Sequence, residues 1–173
     1  KMTMKAGNCY IVQSGTDVED LKSIINNPVF KQTVHPTYNA FRIQNMSMEE
    51  ARKQLGIARE KKVLLFFGFI REYKGLKYLI QAMQEIVNIV PDIVLLIVGD
   101  FANEEDKNVY MELIENCDAS DIIKVYDGYI PDKDVEKFFA ACNLVVLPYI
   151  SATQSGIVQI AYGFEKPVVV TNV

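Results

Sequence analysis

The chain has 173 residues, half of them hydrophobic and 23% charged, with a net charge of −4. That length suits one packed domain, or one domain with part of a second. The acidic balance excludes the basic face that a nucleic-acid partner needs, and no apolar run approaches the ~20 residues that span a bilayer.

In chain order, KMTMKAGNCY lacks the apolar centre of a signal peptide, so a cytoplasmic protein is expected. CYIVQSGTDVEDLKSIINN (9–27) reads as a strand and a helix capped by Thr16 or Asp17. KQTVHPTYNAF (31–41) reads as a short strand running into a proline-containing linker. SMEEARKQLGI (47–57) predicts a helix with a Ser47-x-x-Glu50 capping box, stopped at Gly56. Cys9, Cys117 and Cys142 form no C-x-x-C pair and read as small buried hydrophobes.

From Lys62 onward a regular alternation sets in. KVLLFF (62–67), DIVLLIV (92–98), DIIKVY (121–126), NLVVLPY (143–149) and PVVVTNV (167–173) are predicted strands. Their unbroken apolarity implies burial on both faces, as in a parallel sheet. Residues 75–90, 104–117, 132–142 and 156–164 are predicted helices. The pattern predicts an α/β fold, a doubly wound, Rossmann-like parallel sheet with its ligand site at the carboxyl ends of the strands. Residues 1–45 fit that pattern poorly, and the chain stops on a strand with no covering helix. A fragment cut inside a larger protein at both ends is therefore expected.

Four stretches carry candidate chemistry. In FFGFIREYKGLKYLI (66–80), Arg71 and Lys74 follow Gly68 and precede a helix start. Two cations there suit a phosphate pair, and a solvated basic turn suits them equally. In LPYISATQSGIVQIAYGFEKP (147–167) a polar turn enters a helix, and no Asp or Glu occurs from Lys137 to Phe164. Free N–H groups at that helix start attract anions, and Thr153, Gln154 and Ser155 can bond sugar hydroxyls; ordinary capping is the simpler reading. Asp132-Lys133-Asp134 reads as a helix start rather than a metal site. Asp100, in IVGDFANEED, reads as a turn in preference to a phosphoryl acceptor. His35 is the only histidine and lies in a linker without a nucleophile motif, which disfavours acyl transfer.

Taken together, LFFGFIREYKGLKYLIQA, DIVLLIVGD, IKVYDGYIPDKDVEKFFAACNLVVLPY and SATQSGIVQIAYGFEKPVVVTNV resemble the carboxyl-terminal domain of family-4-type retaining glycosyltransferases of the GT-B architecture. The resemblance implies two domains. Residues 1–45 would be the tail of the amino-terminal, acceptor-receiving domain and the linker. Residues 46–173 would be a nucleotide-sugar-binding domain, incomplete at its carboxyl end. It further implies that Gly68 and Lys74 keep the family's phosphate-loop spacing while Phe69 occupies its usual arginine place, with Arg71 substituting. Tyr129 and Ile130 would lie beside the nucleobase. The family's two glutamates, one toward the donor sugar and one toward the ribose, map to Ala152 and Ile160 counting back from Pro167, and one residue away counting from Gly156. Either frame lacks both acids. Thr153, Gln154, Ser155 and the backbone of Gly156 and Ile157 are then expected at the sugar and phosphate, with Gln159 toward the ribose.

The implied activity is transfer of a hexosyl unit from a nucleotide-diphosphate sugar, with retention and without an obligatory metal or other cofactor. Arg71 and Lys74 would act as electrostatic catalysts on the departing diphosphate. The acceptor would be a glycan, lipid or small molecule, met by the full-length protein in the cytoplasm or at the membrane surface, and the isolated fragment would be inactive. Two other functions remain open at this point: a degenerate, non-catalytic lobe that still binds nucleotide-sugars or serves as a scaffold, and a receiver-like domain using Asp100.

Overall fold

The computed structural model describes residues 7–152 and 154–173. A small parallel pair comes first: β1 (Tyr10–Val12), α1 (Gly15–Ile24) and β2 (Phe30–Gln32), with Tyr10 opposite Phe30. The cap of α1 is Ser14, not Thr16 or Asp17. Ser14 Oγ accepts from Asp17 N–H while Asp17 Oδ2 accepts from Ser14 N–H, a reciprocal box in which Asp17 is the third helical residue. Ser47 caps α2 (Met48–Gln54) by accepting from Glu50 N–H, and Gly56, at φ 60°, ends that segment.

The main body alternates strand and helix: β3 (Lys62–Phe67), α3 (Leu76–Ile89), β4 (Ile93–Gly99), α4 (Glu104–Glu115), β5 (Ile123–Asp127), α5 (Asp132–Ala141), β6 (Leu144–Leu147), α6 (Gly156–Gly163) and β7 (Val168–Val170). All pairings are parallel and the order is β5-β4-β3-β6-β7, so the chain winds outward from β3 in one direction and then returns to its other side. Helices cover both faces. Val63, Leu65, Phe67, Leu96 and Val98 pack with α2, α5 and α6, while Leu64, Phe66, Leu95 and Ile97 pack with α3 and α4.

Burial on both faces holds for β3 beyond Lys62 and for all of β4. The outer strands β5 and β7 are only half covered, and β6 ends one residue before Pro148, which has no N–H to continue the ladder. The segment 120–122 opens with a 3-10 turn rather than strand. Cys117 and Cys142 are buried as expected; Cys9 is exposed, because β1 belongs to the small two-stranded unit and not to the main core.

Two buried charges hold the layers in place. Arg52 on α2 donates to Ala141 O, Arg59 O and Asn143 Oδ1, and that same amide oxygen accepts from Val63 N–H at 2.8 Å. Glu136 on α5 accepts from the N–H groups of Ile43, Gln44 and Met46 at 2.9, 2.6 and 2.8 Å, which pins the segment before α2 onto α5. Neither has a carboxylate–cation partner among the described residues; backbone dipoles and, for Arg52, the Asn143 amide do the compensating.

Candidate functional site

The loops that follow β3, β4 and β5 each turn on a glycine, and Gly68, Gly99 and Gly128 all take positive φ. A side chain on Gly99 would stand 2.1 Å from the Gly68 carbonyl oxygen, so only bare backbone lets these two loops lie side by side. They line a cleft of about 210 Å³ at the carboxyl ends of the strands, with Phe67, Phe69, Tyr129 and Ile130 beside them. Ile157 and Ile160 of α6 also line it, as do Asp100 and Asp132. The walls are mostly apolar, with a few charged groups among them.

Lys74 is the cation in this cleft. It ends a single 3-10 turn, Glu72–Lys74, and is followed by Gly75 at φ 67°. A Cβ on Gly75 would lie 1.9 Å from Pro148 O, so the turn is pressed against the end of β6 and tolerates no side chain there. The ammonium stands 3.0 Å from where a Cβ on Gly68 would be, in the space that glycine leaves, with Ile157 3.3 Å from the same point. Lys74 is only 7% exposed, and burial, followed by the charge of Arg71, pushes its pKa down to about 8. Among the described residues no carboxylate or carbonyl accepts from this ammonium, and the ring of Tyr149 lies 5.8 Å from centroid to Nζ. Its stem is buried while the ammonium itself opens into the cleft, and a partly desolvated cation without a protein acceptor favours an anionic ligand.

The residues expected at the site are only partly brought together. Gly68, Lys74, Tyr129, Ile130 and Ile157 line one cleft. Arg71 is close enough to depress Lys74, but its guanidinium lies over Phe69, donates to Ile70 O and lines a separate depression between α3 and α4 with Glu72 and Lys77. Its direction follows from extended backbone at Arg71, just before the 3-10 turn. Gln154, Ser155 and Gln159 line a neighbouring groove with Gln13, Val34 and His35. There Gln154 Nε2 donates to Asp17 Oδ2 at 2.5 Å, and Gln159 O accepts from Tyr38 N–H. Gly156 opens α6, so the first turn of that helix separates the cleft from the groove. The expected contact at Thr153 lies outside the described residues.

Phe41, Asp132 and Tyr149 escaped the sequence reading of the site. Phe41 belongs to a linker turn whose place in the cleft depends on the Glu136 clamp, and nothing local in NAF announces it. Asp132 begins α5 with Asp134, as expected of helix-start acids, yet it also lines the cleft. Ile160 does line the cleft, at the position where counting back from Pro167 places one family glutamate. Among the described residues no group of three or more His, Cys, Asp or Glu side chains is placed to hold a metal ion.

A five-stranded, doubly wound parallel sheet with a glycine-floored cleft at the point where strand order reverses defines a Rossmann-like α/β domain. The chain belongs to the family of glycosyl transferases group 1, whose family model matches residues 47–173. It is 34% identical over 106 residues to the GDP-mannose:glycolipid 4-beta-D-mannosyltransferase of Xanthomonas campestris pv. campestris, covering 61% of this chain and 29% of that protein. Its fold is similar to that of a glycosyltransferase from Rickettsia africae, with a TM-score of 0.79 at 16% identity over 99% of this chain and 45% of the other. It is also similar to the Anabaena protein HepE in complex with UDP-glucose, with a TM-score of 0.76 at 19% identity over 95% and 44%. The chain thus spans less than half the length of these relatives.

Proposed function

We propose that residues 46–173 bind the nucleotide-diphosphate sugar of a glycosyltransferase, and that residues 1–45 are the tail of its acceptor-receiving domain and the linker. The observation that carries this reading is Lys74: a buried side chain whose ammonium opens into the cleft with no acceptor among the described residues, beside bare glycine backbone and the start of a helix. Its charge stabilises the diphosphate as the glycosidic bond to the donor breaks. The free N–H groups at Gly156 and Ile157 add neutral donors to the same phosphates. Tyr129 and Ile130 flank the base, and Arg71 reaches the diphosphate only after leaving its contact with Ile70 O. Gln154, Ser155 and Gln159, in the neighbouring groove, meet the sugar and ribose hydroxyls where the donor extends past the start of α6, with Gln154 released from Asp17. The UDP-glucose complex of HepE and the GDP-mannose in the name of the Xanthomonas protein support a nucleotide-diphosphate hexose as donor and a glycan or glycolipid as acceptor. A glycolipid acceptor would be met at a membrane surface, although no helix among the described residues is long and apolar enough to cross one.

The carboxylate-free start of α6 and the apolar Ile160 in the cleft favour a second reading, a lobe that binds nucleotide-sugars without transferring them. Titration of the full-length protein with UDP, GDP, ADP and their hexose conjugates, followed by product analysis, separates the two. Turnover that drops at least tenfold in Lys74→Ala supports catalysis, and the anomeric proton of the product reads retention against inversion. Binding without turnover assigns the lobe to the second reading, and a folded protein that binds no nucleotide refutes both.

A further inference from the structure

Tyr149 is buried, and a buried tyrosine hydroxyl needs a partner. It shares a hydrogen bond with Ser155 Oγ at 3.2 Å. Ser155 is the N-cap of α6, where a serine ordinarily accepts from the backbone N–H of the second or third helical residue. Its side chain makes no such bond here. The serine side chain is thus turned to the tyrosine, and the first-turn N–H groups have no side-chain cap. The same ring lies 5.8 Å from Lys74 Nζ and packs edge-on against Tyr73. Its backbone is tied on both sides: Ile150 N–H donates to Tyr73 O at 2.7 Å, and Thr171 Oγ1 donates to Tyr149 O. Pro148 O, one residue earlier, occupies the space over Gly75.

We propose that Tyr149 is a positioning residue that couples the two anion-facing groups of the cleft, holding the Lys74 ammonium with its ring and diverting Ser155 with its hydroxyl so that the start of α6 stays open to the donor diphosphate. This role rests on the donor-binding reading above. It places Tyr149 behind the groups that touch the ligand and not among them.

A core aromatic and a positioning residue respond differently to Tyr149→Phe. Packing is kept, and Ser155 Oγ becomes free to cap α6, in competition with the ligand for the same N–H groups. The melting temperature is then expected to stay level or rise, while affinity of the full-length protein for UDP and GDP falls about three- to tenfold, the worth of roughly one hydrogen bond. In a Ser155→Ala background the same substitution is expected to change affinity by less than about twofold, because no cap remains to divert. Equal affinities in Tyr149→Phe and the unaltered protein overturn the hydroxyl's role, as does a parallel fall in stability and affinity that persists with Ser155→Ala.

The ring's role is read without any nucleotide, from NMR titration of Lys74 after 13C-methylation of the lysines. Tyr149→Leu admits water and is expected to raise the Lys74 midpoint above about 8, while Tyr149→Phe leaves it in place. An unmoved midpoint in folded Tyr149→Leu overturns the coupling. If the unaltered protein binds neither UDP nor GDP, the donor-binding reading and the diversion of Ser155 for a ligand both fail, and the midpoint still decides whether Tyr149 holds the ammonium.

Discussion

Raising the pH of a nucleoside diphosphate titration from 7 to 8.5 tests Lys74 directly. Burial lowers its pKa from 10.5 to about 8, with the charge of Arg71 as the second cause. The ammonium is then about nine-tenths charged at pH 7 and about one-quarter charged at pH 8.5. A bound diphosphate favours the charged form, so binding takes up a proton from solvent across this window, and affinity is expected to fall about fourfold. The nucleotide's own phosphate, with a second pKa of about 6, is already ionised and adds nothing. Linkage has the opposite sign in the free protein: between about 8 and 10.5 the unfolded chain holds a proton that the folded chain has lost, so stability rises with pH there. The full effect is on the order of 3 kcal/mol. Calorimetric titration with UDP and GDP in two buffers of different ionisation enthalpy measures the uptake, with Lys74→Met as the control expected to show none. Tight binding that is flat over this range, with no proton uptake, would refute the placement of Lys74 at the phosphates.

Gly75→Ala pushes a methyl against Pro148 O in left-handed backbone and is expected to cost about 2 kcal/mol or more, to lower the melting temperature by several degrees, and to weaken UDP binding through Lys74. Wild-type melting would show that the turn has room to give. Glu136→Gln keeps the volume but replaces one acceptor oxygen by a donor, and is expected to cost about 2 kcal/mol and to speed amide exchange at Ile43, Gln44 and Met46 above all; unchanged exchange there would remove the clamp. Arg52→Met strands the carbonyls of Ala141 and Arg59 and loosens Asn143, for an expected loss of about 3 kcal/mol in denaturant unfolding, and a loss under 1 kcal/mol would show that water replaces the guanidinium.

The central strands β3 and β4 were legible because they are buried on both sides. VLLFF and IVLLIV carry no polar residue to mislead the reading, and their ladder pairs run in register from Lys62 with Ile93 to Phe67 with Val98. The glycines after them were legible as turns. That Gly68 and Gly99 touch was not, because it depends on the register of two strands and on the absence of a Cβ. At the start of α1, Ser14, Thr16 and Asp17 all suit a cap, and the choice follows from where the chain leaves β1. Glu136 was illegible for a different reason: in DKDVEKFF it looks like one more surface charge, and its partners lie about ninety residues away in backbone that no side-chain pattern marks. Arg71 was legible as a cation and illegible as a direction. Extended backbone at that residue turns its guanidinium to Ile70 O and Phe69.

The carboxylate-free stretch from Lys137 to Phe164 acquires an electrostatic rationale from this geometry. The cleft already includes Asp100 and Asp132, and its single buried cation is partly neutral near pH 8. A further carboxylate at Ile160 would sit in the same low-dielectric space as an incoming diphosphate and repel it. A second cation close to Lys74 would depress it further, as Arg71 already does. Neutral donors avoid both costs: the first-turn N–H groups of α6 offer partial positive charge without titrating, provided no cap occupies them. The Tyr149–Ser155 pair meets that condition, and it links the basic turn to the polar turn through one side chain. On this account the acids are absent because the grip depends on backbone dipoles around one weakly held proton, and the pH dependence of binding is the signature that separates it from a grip built on charge pairs.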